Sequence, residues 1–532
     1  MNTSQSKTKY RDQEPEKIRY FIPNQILLHA EHPADPVFVQ SQLIEALYNF
    51  LRDQDLKSLN VQFSPPAGER IITFSNQAAA FSIVPMRFSQ TGKDPNEVDY
   101  DLTAVVISRL YEVFPRGGDG IRLGDGILLH SAAPNWLVSG AAHQIGTGGP
   151  SNKPEKAELR PGSMPIFVLK DFPDDLPAEG ARGEGMHVAI LDTAPCMRDL
   201  WWAYYYWRDT HPLINSLLKP GGPINVYPAS RDDIEMTADF GLAAHRYQMR
   251  DHGLFAAGII HSIAPDATLH LYEVLNPYGV GCVETIVRGL YRAITNPNIQ
   301  RPLVINCSLV LNLPRVQHPT TDLPDELLAV SNDAEFQKMM VGSIEAIVSH
   351  LSSDQDQIAI VAAAGNDGVD CHNQPVAGGH PQTRYPAAFE KVVGVGALPR
   401  NPTPTAAGKF NKTSYSNRSD EIPEYGVATM GGEAGIDKGV LGVYISNFPV
   451  RTAEPSRNCK FNEGDFRYEN NDSGWAWWSG TSFAAPIVSG VLTAWWGNNT
   501  GKAGNQAIAI LNGLTNSGDN GEKVLLVNQE LP

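Results

Sequence analysis

Ser479-Gly480-Thr481-Ser482-Phe483-Ala484-Ala485-Pro486 sets a serine at the first turn of a helix that runs on through Ile487, Val488, Val491 and Leu492. The unpaired amides of such a turn, and the positive end of the helix dipole, favour negative charge beside the hydroxyl. An oxyanion forming next to Ser482 would be stabilised there. Taken alone, Gly-Thr-Ser is more often a helix cap than a nucleophile, because Ser and Thr satisfy first-turn amides. Nucleophilic chemistry needs a base, an acid and an oxyanion donor elsewhere in the chain.

Three upstream segments offer them. Met186 to Thr193 is a short apolar run ending in Asp192. It reads as a buried strand with its carboxylate at the C-terminal edge, where open α/β sheets place their sites. Asp251-His252-Gly253-Leu254-Phe255-Ala256-Ala257-Gly258 puts a histidine at the mouth of a small-residue helix that must end before Pro265. Val361-Ala362-Ala363-Ala364-Gly365-Asn366-Asp367-Gly368 runs into a Gly-Asn turn, which is also an ordinary strand ending.

The octapeptide around Ser482, with the Asp192 and His252 segments, resembles the three motifs of the subtilisin-like serine proteases (subtilases, peptidase family S8). The order Asp192, His252, Ser482 is that family's order. The resemblance implies a subtilisin-like fold and four roles. Ser482 attacks, His252 takes its proton and returns it to the leaving amine, and Asp192 orients the imidazole. Asn366 donates to the oxyanion together with the backbone N–H of Ser482. It also marks Ser308, Leu309 and Val310, with Ala363, Ala364 and Gly365, as substrate-binding, and implies a polypeptide substrate.

The chain departs from the family pattern in three places. Thr193-Ala194-Pro195 stands where Thr-Gly is usual, Leu254-Phe255 where Thr-His is usual, and Val310 where the substrate strand has glycine. Nearby titratable residues fit the base role less well. His261 lies on the opposite helix face from His252, Asp251 points elsewhere, and nothing around His245 recommends it.

Composition fits a soluble enzyme. The 532 residues are 42% hydrophobic and 19% charged, enough for a large core in two domains. A net charge of −16 disfavours nucleic acid as a partner. No apolar run approaches the ~20 residues of a membrane span. Residues 1–17 form a polar tail without the apolar core of a signal peptide, and five cysteines make no disulfide framework, so a cytoplasmic location is expected. The chemistry requires no cofactor. The resemblance allows a structural calcium, although no contiguous loop has convincing ligand spacing, and Cys371-His372 with His380 is too thin for a metal site.

The domain pattern is two-part. Residues 18–143 alternate strand-like and helical stretches in the order of an α+β, ferredoxin-like module, and the resemblance makes them a propeptide-like domain and candidate inhibitor. Residues 144–184 read as an exposed linker, interrupted by a strand-like stretch at Pro165–Leu169. From 185 to 532 strands and helices alternate, which predicts a doubly wound, mainly parallel α/β sheet. Within it, 431–472 read as a surface insertion. The aromatic runs 201–207 and 475–478 read first as core or interdomain packing, the second also as a cleft wall or docking surface. The expected function is a serine endopeptidase restrained by its N-terminal domain. A catalytically weak peptide-binding scaffold is the alternative, and a small-ester hydrolase is disfavoured by the missing Gly-x-Ser-x-Gly.

Overall fold

The computed structural model describes residues 20–34, 40–54, 61–64, 70–75, 79–90, 102–115, 120–140, 153–170, 182–233, 237, 247–313, 327, 333–353, 357–369, 374–419, 424–452, 466–497, 511, 513–514, 516–518 and 521–531. A nine-stranded sheet organises the C-terminal part. From one edge its parallel strands are Ile224–Tyr227, Thr268–Glu273, His187–Asp192, Leu303–Cys307, Ile358–Ala363, Val392–Leu398, Gly426–Met430 and Lys523–Val524, with Asn516–Ser517 antiparallel at the far edge. The central strands are apolar on both faces because both faces are covered. Val188, Ile190, Val304, Val361 and Ala363 face helices His252–Ile263 and Thr481–Gly497. Ala189, Leu191, Ile305, Ile360 and Ala362 face helices Val283–Thr295 and Ala334–Ser352. This period-two split makes a three-layer, doubly wound α/β body.

The N-terminal part is an antiparallel sheet with neighbouring strands Ile127–Gly140, Phe21–Pro33, Ala79–Gln90 and Val61–Ser64. Helix Gln40–Asp53 buries Leu43, Leu47 and Leu51 at helical spacing, and Thr103–Val113 buries Val106, Ile107 and Leu110. This sheet does not end within its own domain. Ile127–Gly140 also pairs with Val280–Cys282 and with Leu309–Leu311; with Ile72–Ser75 on Ala79–Gln90 and Ile121–Gly124 on Ile127–Gly140, the sheet has eight strands in all. One continuous apolar core joins Leu27, Leu129 and Trp136 to Ile286, Leu290, Met340 and Ile344 of the two helices beneath. The Trp136 indole N–H donates to Met340 O at 3.0 Å. Buried polar groups add to this contact: Gln25 Nε2 donates to Glu284 Oε2 at 2.6 Å, and Asn135 Oδ1 accepts from Glu284 N at 3.0 Å.

Three expectations change here. Part of the 144–184 segment is built into the C-terminal body: Glu155–Lys156 pairs with Trp475–Trp478, and the strand expected near 165–169 is present as Ile166–Lys170, paired with Leu526–Glu530. Ala157 is buried beside them, so the described residues 153–170 are no linker; the remainder of that stretch before residue 182 lies outside the described residues. Within 431–472, Val440–Val443 is a fully buried strand paired with Trp475–Trp478, because its Val-Leu-Gly-Val run covers Phe255. Finally, helix Met197–Trp207 buries only Leu200, Ala203 and Trp207, and leaves Trp201, Trp202, Tyr205 and Tyr206 exposed. Its aromatic residues fall all round the helix, so one face cannot hold them all.

Candidate active site

Asp192 closes the strand His187–Asp192, and His252 opens the helix His252–Ile263. Both side chains are fully buried. His252 Nδ1 lies 2.8 Å from Asp192 Oδ1 and 2.9 Å from Oδ2. The carboxylate is fixed by the Thr193 N–H, which donates to Oδ1 at 2.7 Å. Thr193 Oγ1 lies 3.0 Å from both Met249 O and Arg250 O, tying the strand end to the turn that precedes the histidine. Gly253 permits the close approach: a Cβ there would stand 2.3 Å from Thr193 O.

The imidazole is walled by apolar rings. Trp478 meets it edge-on at 5.3 Å between centroids, and Phe483 lies at 5.1 Å. The Trp475–Trp478 strand is buried in the core, the first of its two readings, and Trp478 packs there against His252. His252 Nε2 is buried and has no hydrogen-bond partner among the described residues. Asp251 is turned away. Its carboxylate accepts from Ile445 N and Ser446 N, both at 2.6 Å, and from Ser446 Oγ at 2.9 Å, and burial pushes it up to about 6. His261 bonds Ser216 Oγ through Nε2 at 3.0 Å, away from the site, and His245 lies outside the described residues.

Ser482 sits in the first turn of Thr481–Gly497 and is fully buried. Its hydroxyl donates to Ser308 O at 3.3 Å rather than to His252. Pro486 lacks the N–H that would have bonded Ser482 O within the helix. Ser308 Oγ fills that vacancy, donating to Ser482 O at 2.8 Å, and is itself held by Asn306 Nδ2 at 3.0 Å. Asn306 Oδ1 in turn accepts from Ser489 Oγ, about two turns further along the same helix face. The hydroxyl of Ser308 thus supports the serine from below, a role that the sequence reading, which placed Ser308 on the substrate, had missed.

Asn366 stands on the other side of the same turn. Its Oδ1 accepts from Thr481 N and Thr481 Oγ1, each at 3.0 Å, which leaves the amide nitrogen end as the one facing away from Thr481. Gly365 N donates to Thr481 Oγ1 at 3.2 Å. Leu309 and Val310 belong to the strand Leu309–Leu311, whose partner is the chain's own 138–140 segment. Ala363 ends the strand Ile358–Ala363, while Ala364 bonds inward, donating to Val395 O and accepting from Arg384 N. Val310 is buried in the core rather than lying open beside the cleft. Cys307, next to Ser308, is a buried thiol pushed up to about 12 by burial and by the charge of Asp192. Among the described residues, no group of three or more His, Cys, Asp or Glu side chains is gathered as a metal site, and no helix is long and apolar enough to cross a membrane. Cys371 and His372 lie outside the described residues, and His380 bonds Ser416 O at 2.7 Å.

A parallel α/β sheet carrying an Asp–His pair on one strand–helix corner, and a serine at a helix N-terminus, defines a class of hydrolase-like sites. The subtilase family model matches residues 183–523, and the chain belongs to the subtilase family. It is 25% identical over 252 residues to the intracellular serine protease of Paenibacillus polymyxa, covering 45% of this chain and 56% of that protein. It is 31% identical over 121 residues to the minor extracellular protease Vpr of Bacillus subtilis (strain 168), covering 22% of this chain and 13% of that one. The chain thus spans little over half of the first of these relatives and a small part of the second. Among solved structures it is similar to a cold-adapted subtilisin-like serine proteinase, with 17% identity, a TM-score of 0.35, and coverage of 65% of this chain and 89% of that chain.

Proposed function

We propose that this protein is a serine endopeptidase whose cleft is occupied by its own ferredoxin-like N-terminal domain. The buried Asp192–His252 pair beside the helix turn that bears Ser482 is the observation that carries the reading. Ser482 Oγ leaves Ser308 O and turns to His252 Nε2, which takes its proton as the oxygen attacks a peptide carbonyl. His252 then gives that proton to the leaving amine, and Asp192 balances the imidazolium charge. The oxyanion is met by the Ser482 N–H and the Asn366 amide, in a dry site where such donors are worth far more than in water. No step needs a metal or an organic cofactor; a structural calcium is a separate proposal on family grounds.

The N-terminal domain acts as an inhibitor in this reading. Support comes from Ile127–Gly140, which lies as the middle strand between Val280–Cys282 and Leu309–Leu311, as a peptide does in β-augmentation. The thiols of Cys196, Cys282 and Cys307 are free, which fits a reducing compartment. A second reading, a peptide-binding scaffold, draws on Ser482 being turned to Ser308 O and on the bulky Val310. Fluorophosphonate labelling decides between them: stoichiometric labelling at Ser482, lost in Ser482→Ala, with cleavage of an unstructured peptide supports the enzyme. No labelling of Ser482 either in this chain or in a Ser139→Pro form, whose covering strand is broken, supports the scaffold.

A further inference from the structure

The turn that presents Asn366 is held from both sides, and only one side belongs to the nucleophile. Thr481 grips it from the front, through Gly365 N and Asn366 Oδ1. From behind, one fully buried side chain spans the whole turn. Asn417 Nδ2 donates to Ala364 O at 3.1 Å and to Asp367 Oδ2 at 2.6 Å, and its Oδ1 accepts from Asp367 N at 2.7 Å. Its backbone N–H adds a bond to Gly365 O at 2.9 Å. Residues 364, 365 and 367 are therefore all tied to Asn417, and the residue between them is Asn366.

The clamp is itself locked. Arg384 forms a bidentate pair with Asp367, both bonds 2.6 Å, and its backbone N–H donates to Ala364 O at 3.0 Å. Gly365 has φ +109, and a Cβ there would lie 2.5 Å from Asn417 Nδ2, so the turn and the clamp fit only with glycine at that place. All these bonds run to residues 364, 365 and 367, so Asn417 acts on the position of another residue.

We infer that Asn417 is a positioning residue of the oxyanion site: it holds the 364–367 turn so that the Asn366 amide meets the developing oxyanion. The inference rests on the endopeptidase reading. Small displacements of such donors cost far more in the transition state than in substrate binding. Asn417→Ala in the full chain should therefore lower kcat roughly 10–100-fold and move KM less than about twofold. Binding of a peptidyl boronate should weaken by about the same factor as kcat/KM.

A double-mutant cycle tests the route of action, with rates counted per site titrated by fluorophosphonate. On an Asn366→Ala background, adding Asn417→Ala should cost little more, because the donor that it positions is gone. Asn417→Asp keeps the shape and the acceptor for the Asp367 N–H but loses the amide, and should show the same kcat loss should the alanine form fail to fold. Full, additive losses in the cycle, or a loss confined to KM, overturn the inference while the endopeptidase reading stands. A full chain whose cleft has been opened by Ser139→Pro and that still cuts no peptide overturns that reading and the inference with it.

Discussion

Ser139 faces Val310 across an antiparallel ladder, and on its other side it is the register partner of Val280. Ser139 Oγ also accepts from Asn312 Nδ2 at 3.2 Å. Residues 137–140 of the N-terminal part thus have main-chain pairing on both edges, while the core of that part is continuous with that of the helices below. Pairing gives it register, and apolar burial gives it affinity.

Ser139→Pro removes a ladder N–H from a strand flanked on both sides, where proline is not tolerated. In the full chain it should open the cleft and raise the rate of fluorophosphonate labelling at Ser482 severalfold. An unchanged labelling rate would mean that the strand does not limit access.

The Asp192–His252–Ser482 unit is predicted to be strongly non-additive. Ser482→Ala or His252→Ala should each remove nearly all peptidase activity, and the double change should cost little more. Asp192→Asn should keep the fold yet lower kcat by roughly 10⁴, since the amide leaves the imidazole in the wrong tautomer. Retention of most activity by Ser482→Ala would show that another nucleophile is in use.

These residues were legible in the sequence because their chemistry is written locally: Asp192 ends an apolar run, and His252 and Ser482 each open a small-residue helix. The long parallel strands were legible for the same reason, as continuous apolar stretches. What was not legible is tertiary. Asn417 is fifty residues from the Asp367 it holds, and nothing around it differs from an ordinary turn. Glu155–Lys156 is a strand of two residues, too short to show any period, and it exists because Trp475–Trp478 offers it an edge. Val440–Tyr444 was hidden inside a polar surrounding, and only its contact with Phe255 and its pairing with Trp475–Trp478 reveal it as part of the core.

Asn366→Ala tests the oxyanion donor directly. It should lower kcat by roughly 10²–10³ with little change in KM, a magnitude that comes from a subtilisin's own donor. Equal loss in kcat for a thioester and a peptide substrate is expected as well, since both form an oxyanion at the same place. A loss confined to KM would make the Gly365-Asn366 turn a structural feature only.

His211 is expected to contribute to the acid limit of the fold, as is His29, whose pKa burial and the neighbouring His130 also lower to about 3. His211 is buried, stacks on Trp475 at 3.7 Å between centroids, and caps the helix Pro212–Leu218 by accepting from Ile214 N at its Nδ1. Its Nε2 donates to Gly474 O at 3.1 Å, so only the neutral tautomer with its proton on Nε2 satisfies both contacts. Burial lowers its pKa to about 3, against an ordinary value of 6.5. A folded pKa below the unfolded one means that the unfolded chain binds the extra proton first. The contribution of neutral His211 is therefore fully present above about 6.5 and is lost as pH falls toward 3, at up to about 1.4 kcal/mol per pH unit. His211→Asn keeps a capping oxygen for Ile214 N but has no ionisation in this window. Urea unfolding of the Ser482→Ala background at pH 7 and pH 4.5 should show a smaller acid loss for the His211→Asn form. Equal acid losses with and without His211 would place the acid-sensitive group elsewhere, with His29, lowered to about 3, and then His261 and His270, both lowered to about 4, next to be tested.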